Sequence, residues 1–175
     1  LLSYAAKKLF PDRRLIIGHS LGDGYYYYFD RMNYIDPEDV KALSTMMENL
    51  VEENFSIERR VLSYSDALER IKDSGQTATL LLLEYRNTSK VPIYQCNDYF
   101  DIAHGPLVPS TGILKVFTLR SYQPGFLLRY PSDKKQSTIA PFKDNPVLFQ
   151  VFQEHRAWGK ILDTECAGSL NDLVA

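Results

Sequence analysis

The chain has 175 residues, with 20 Lys and Arg against 22 Asp and Glu and a formal net charge of -2. That length holds one domain, or one with a short appendage, and 45% apolar content is enough for a buried core. The slightly acidic balance gives no electrostatic footing for nucleic acid, and no run of 18 apolar residues is present to span a bilayer.

Residues 1 to 10 form a predicted helix that ends before Pro11, because proline cannot continue it. Leu15 to Gly18 and Tyr25 to Phe29 are predicted strands, turned by Gly22-Asp23-Gly24. Along a strand the four tyrosines Tyr25 to Tyr28 alternate faces, so two pack inward and two face out. Asp36 is an N-cap with Pro37 at the first helical position. Val40, Leu43, Met46, Met47, Leu50 and Val51 then recur at helical spacing. Phe55, Ile57 and Val61 alternate with Ser56, Glu58 and Arg60, the pattern of a half-buried strand. Ser63 caps a short helix over 66–73 that stops at Gly75. Periodicity alone leaves Thr77 to Tyr85 open between helix and strand.

Val91 to Cys96 and Tyr99 to Ile102 are the next two strands, and Pro92 places the first at an edge or a start. Gly105, Pro106, Pro109 and Gly112 stiffen the loop that follows. Leu114 to Arg120 and Phe126 to Tyr130 are two further strands, with Pro124-Gly125 between them. Residues 131–145 form a polar connection. Asn145 then caps a last helix that runs to Trp158 on a stripe of Val147, Leu148, Val151 and Phe152. Strands and helices mix without βαβ alternation, so the expected class is α+β with a mixed or antiparallel sheet and packed helices.

The chemistry-bearing residues are sparse. His19, His104 and His155 are the only histidines, and Cys96 and Cys166 form no C-x-x-C pair. Two reduced thiols fit a cytoplasmic setting. There is no G-x-x-x-x-G-K-[ST] phosphate loop and no G-x-S-x-G elbow. Arg13-Arg14, Arg59-Arg60 and Lys134-Lys135 are expected as solvated surface. Asp101 either faces a pocket or caps the Gly105-Pro106 loop through backbone N–H groups.

Asp101-Ile102-Ala103-His104-Gly105-Pro106-Leu107-Val108-Pro109 resembles the D-[LM]-C-x-G-P-H-[VL]-P segment of the threonyl-tRNA synthetase editing domain. Leu1 to Pro11 resembles that family's L-L-G-H-A-x-K-x-L-[FW]-P helix, and Gly18 to Asp30 its G-P-x-x-[DE]-x-G-F-Y-Y-D-F stretch. Asp36 to Val40, Val116 to Leu119 and Phe126 to Arg129 follow in the same order, over about residues 1–140. The resemblance implies an editing-type threonyl/alanyl-tRNA synthetase fold, and it favours a helix over 77–85. It also implies that three ligand positions are lost, with Tyr4 and Leu107 standing at histidines and Ala103 at a cysteine, so no metal site is expected where a hydrolytic zinc would take three protein ligands. Asp101 matches an acidic residue kept beside that cysteine, and Arg129 matches an arginine with a structural role.

A second, shorter resemblance lies in Val151 to Leu162 and Gly168 to Val174. They are similar to the linker of bacterial uridine-kinase-like proteins, F-x-E-x-x-x-W-x-x-I-L followed by V-G-x-L-N-x-x-I. It implies an editing-like domain over 1–142, and an extension over 143–175 toward a kinase domain beyond Ala175. Three functions are expected to compete. The first is a non-catalytic ligand-binding or regulatory module, with its own kinase domain as partner and with ATP and Mg used there and no cofactor here. The second is a metal-independent editing hydrolase acting on mischarged tRNA through Asp101 and His104. The third is a structural domain that forms a homo-oligomer. For the first, a small-molecule groove is expected around Tyr4, Tyr26, Asp101 and His104, with tRNA and membrane not expected as partners.

Overall fold

The computed structural model describes residues 1–85, 88–103, 105–131, 138–155 and 157. They form an α+β arrangement with two antiparallel sheets. The chain divides into two compact units. One comprises Leu1–Pro11 and Ala42–Lys115, the other Asp12–Lys41 and the chain from Val116 onward.

The first unit contains α1 (Leu2–Leu9), most of α2 (Pro37–Glu52), β3 (Ile57–Ser63), α3 (Tyr64–Asp73), α4 (Thr77–Glu84), β4 (Lys90–Cys96) and β5 (Tyr99–Ile102). The sheet order is β3-β4-β5. Asn97, in the left-handed region at φ 52°, turns β4 into β5. Val91 and Ile93 of β4, joined by Phe100 and Ile102, pack on Ala67 and Ile71 of α3 and on Leu80 and Leu83 of α4. Period-two alternation therefore puts Cys96, Tyr99 and Asp101 on the opposite face. The Ser63 hydroxyl accepts the Asp66 N–H at 3.1 Å, as the expected cap, and Gly75 ends the turn at φ 69°. Residues 77–84 are helical, the reading the synthetase resemblance favours.

The register corrects the alternation expected in β3. Val61 pairs with Pro92 and is exposed, whereas Leu62 pairs with Val91 and packs on the core. β3 is an edge strand. Its inward face is decided by which β4 residues it meets, not by its own run of apolar side chains.

The second unit contains β1 (Leu15–Leu21), β2 (Gly24–Phe29), β6 (Thr118–Tyr122), β7 (Gly125–Arg129) and a helix, α5, over 146–155. The sheet order is β1-β2-β7-β6. Gly22 at φ 61° opens the two-residue β1–β2 turn, a position where a Cβ is disfavoured. Tyr26 and Tyr28 are buried with Leu21 and Leu127. Tyr25 is exposed, and the half-buried Tyr27 stacks on Phe126 with ring centres 6.0 Å apart. β7 is buried along its whole length. A Cβ on Gly125 would stand 2.0 Å from the Tyr27 carbonyl oxygen.

Two expectations shift here. The strand expected from Leu114 starts at Thr118, because Thr111–Ile113 closes a 3-10 turn first. The Asn145 side chain does cap α5, accepting the Leu148 N–H at 3.1 Å. Phe149 and Phe152, both partly buried, are the α5 residues that pack on the sheet, while Val147, Leu148 and Val151 are exposed, since the sheet offers aromatic partners in Tyr26 and Tyr122. Trp158 and Cys166 lie outside the described residues.

Candidate functional site

The site gathers on the α1 side of the first unit's sheet. Tyr4 is buried on α1, and its ring stacks on Tyr99 of β5 at 5.2 Å. Its hydroxyl donates to the Asp98 carboxylate and accepts from the Asn97 amide at 3.2 Å. Lys8, one turn along α1, places its ammonium 4.9 Å from the same ring. The first turn of α1 carries no acid and its last turn carries Lys7 and Lys8, which suits the helix dipole.

Asp101 sits at the centre of a second cluster. The Tyr99 hydroxyl donates to its Oδ2 at 2.9 Å, and the Thr79 hydroxyl of α4 donates to its Oδ1 at 2.9 Å. The Ile102 N–H also reaches Oδ1, at 2.8 Å. A carboxylate offers about four acceptor places, so Oδ1 is filled and Oδ2 keeps one. Asp101 therefore makes its backbone contact at Ile102, and two side-chain hydroxyls hold the rest.

Electrostatics follow this wiring. The Tyr4 hydroxyl holds the Asp98 carboxyl below the usual carboxylate range. Burial, reinforced by the bond to Asp98, raises the Tyr4 phenol. Burial, then the charge of Asp101, pushes the Tyr99 phenol far above its ordinary value, so it is a fixed donor. Burial also raises the Cys96 thiol, which is free and sits next to this face. A raised thiol is a poor nucleophile at neutral pH.

Tyr99 thus brings Tyr4 and Asp101 into one network. Tyr26 lies in the other unit, packed among Tyr28, Tyr122, Phe149 and Phe152. His104 lies outside the described residues. Ala103 follows β5 half-buried, and Leu107 is exposed. Among the described residues no three His, Cys, Asp or Glu side chains gather as a metal would require. Sequence reasoning missed Thr79, Asn97, Asp98 and Tyr99. Period two from Asp101 points to Tyr99, and Asn97-Asp98 carries a turn signal, but nothing local links Thr79 to either.

Arg129 has the structural place expected of it. It is 6% exposed, and its Nε donates to Asp23 Oδ1 at 3.0 Å. Its Nη2 donates to Asp23 Oδ2 and to the Ala140 carbonyl.

The chain is similar to threonine–tRNA ligases. It is 37% identical to that of Carboxydothermus hydrogenoformans over 120 residues, 68% of this chain and 19% of the ligase. It is 38% identical to that of Coxiella burnetii over 122 residues, 68% of this chain and 18% of the ligase. It is 32% identical to that of Listeria monocytogenes serotype 4a over 174 residues, 93% of this chain and 27% of the ligase. That match reaches into the stretch after residue 142. The chain spans 18–27% of the length of these ligases, and no family model matches it. The α+β fold with antiparallel sheets is compatible with an editing-type domain. Among the described residues no helix is long and apolar enough to cross a membrane.

Proposed function

We propose that this chain is a non-catalytic, ligand-binding or regulatory module derived from an editing-type synthetase domain. The supporting observation is the state of Asp101, whose carboxylate is engaged by Tyr99, Thr79 and the Ile102 N–H. Three donors already occupy that carboxylate, and one acceptor place on Oδ2 remains. That place suits a hydroxyl or amine of a neutral small molecule. The positions matching the family's thiol and imidazoles carry Ala103, Leu107 and Tyr4. In this reading the partner is a uridine-kinase-like phosphoryl-transfer domain following Ala175, which would use ATP and Mg. The proposed boundary lies near residue 142, at the connection into α5.

The competing reading is a metal-independent hydrolase acting on mischarged threonine tRNA through Asp101 and His104. One experiment separates them: the purified chain is incubated with mischarged threonine tRNA, and release of the amino acid is followed. The module reading expects the ester to decay at the uncatalysed rate. Release that disappears in Asp101→Ala would overturn it. Self-association has its own support in the exposed face of α4, where Leu81, Leu82 and Tyr85 are 47%, 56% and 89% exposed. A single monomeric species in sedimentation, unchanged by Leu82→Glu, would remove that reading.

A further inference from the structure

A cavity of about 390 Å³ opens in the second unit, between β1 and α5. Tyr26, Phe149 and Phe152 make its floor. His19 and Ser20 bring polar atoms from β1, and His155 brings one from α5. The size falls within the ~300–1,000 Å³ of small-molecule sites, and so does the pattern of an apolar, aromatic lining with few polar groups.

The chemistry of the walls narrows the occupant. Tyr26 meets Phe149 edge-on at 5.0 Å and 75°, and His19 meets Phe152 edge-on at 3.9 Å and 73°. Phe149 and Phe152 are only partly buried and keep apolar ring surface at the opening, with the buried Tyr26 beneath them. Imidazoles from two different elements approach the same opening, and each can donate an N–H or carry a positive charge. None of the lining residues is acidic. Glu154, adjacent on α5, accepts instead from the Gln150 amide at 3.1 Å. We propose that this cavity binds a planar aromatic molecule carrying one acidic group, with the ring on the Tyr26–Phe149–Phe152 floor and the acid between His19 and His155.

The site has a consequence for the fold. One wall is a strand and the other is a helix, so an occupant holds α5 on the sheet by binding only the docked form. Gly18 fits this arrangement. A Cβ there would lie 2.7 Å from the Tyr26 ring and 3.4 Å from Phe152, so glycine lets the helix aromatics approach β1 closely. The proposal is independent of the Asp101 network, which belongs to the other unit.

The test uses the whole chain and 2-naphthoate as the probe, followed by amide NMR. Saturable shifts are expected at His19, Ser20, Leu148 and Val151. The neutral 2-naphthamide is expected to bind roughly tenfold more weakly. Ser20→Trp fills the cavity from the strand and Val151→Trp from the helix. Both positions are surface-exposed, and each variant is expected to abolish binding while keeping the amide spectrum of the fold. The double variant His19→Gln, His155→Gln is expected to erase the preference for the acid over the amide. The proposal is overturned by shifts centred instead on Leu81 and Leu82 of α4, by binding that survives in both filled variants, or by no shift at about 1 mM probe.

Discussion

Arg129→Met removes a buried cation while keeping most of the volume of its stem. The structure sets the magnitude. The guanidinium makes three charge-assisted hydrogen bonds, two to Asp23 and one to the Ala140 carbonyl, and lies 5.5 Å from the Phe142 ring centre. Breaking a buried charged pair costs about 3–5 kcal/mol when the abandoned partner stays buried. Here the Asp23 side chain is 34% exposed and Ala140 is at the surface, so water takes up both abandoned acceptors. The expected loss is therefore about 2 kcal/mol, discounted for that exposure. It corresponds to a fall in Tm of roughly 4–8 °C for a chain of this size.

The loss has a place as well as a size. Arg129 ties down residues 138–142, and the segment continues through Asn145 into α5. Tyr122 adds a hydrogen bond to Asp144 at 2.6 Å, and Arg120 stacks on Phe142 at 4.6 Å. Urea unfolding at pH 7 would measure the loss. Amide exchange should then show protection falling first at residues 142–152. In a double-mutant cycle with Asp23→Ala, a coupling above about 1 kcal/mol is expected. A loss below about 0.5 kcal/mol, or unchanged exchange in α5, would refute the assignment of Arg129 as the anchor of this segment.

The Asp23 and Asp98 carboxyls are both held below the usual range, by Arg129 and Tyr4 respectively. Their stabilisation is fully present above the unfolded value near pH ~4 and is lost as pH falls below it. The urea midpoint should therefore drop on acidification, and Arg129→Met or Tyr4→Phe should each flatten that drop. Tyr4→Phe should also cost about 1 kcal/mol at pH 7, read from the same curves, because the ring stack survives and only the hydroxyl goes. Gly125→Ala places a Cβ against the Tyr27 carbonyl oxygen and should cost about 3 kcal/mol, visible as a lowered Tm. In a Cys166→Ser background, the Cys96 thiol should react with Ellman's reagent far more slowly than a free thiol until denaturant is added, because burial raises it.

The elements with local causes were legible in the residues. Ser63, Gly75, Asp36 with Pro37, and Asn145 each mark a helix end by capping or φ preference, though α3 begins at Tyr64, directly after its cap, rather than at residue 66. Gly22 marks the hairpin for the same kind of reason. Tertiary structure decided what depends on partners distant along the chain. Val61 faces solvent because β3 meets β4 in one particular register, and a shift by one residue would reverse its face. Phe149 and Phe152, rather than Val147 and Val151, turn inward because Tyr26 and Tyr122 wait on the sheet. The hold of Thr79 on Asp101 spans 22 residues, and that of Tyr4 on Asp98 spans 94. No local pattern encodes such a pair, since a hydrogen bond between distant residues exists only once packing has fixed both ends.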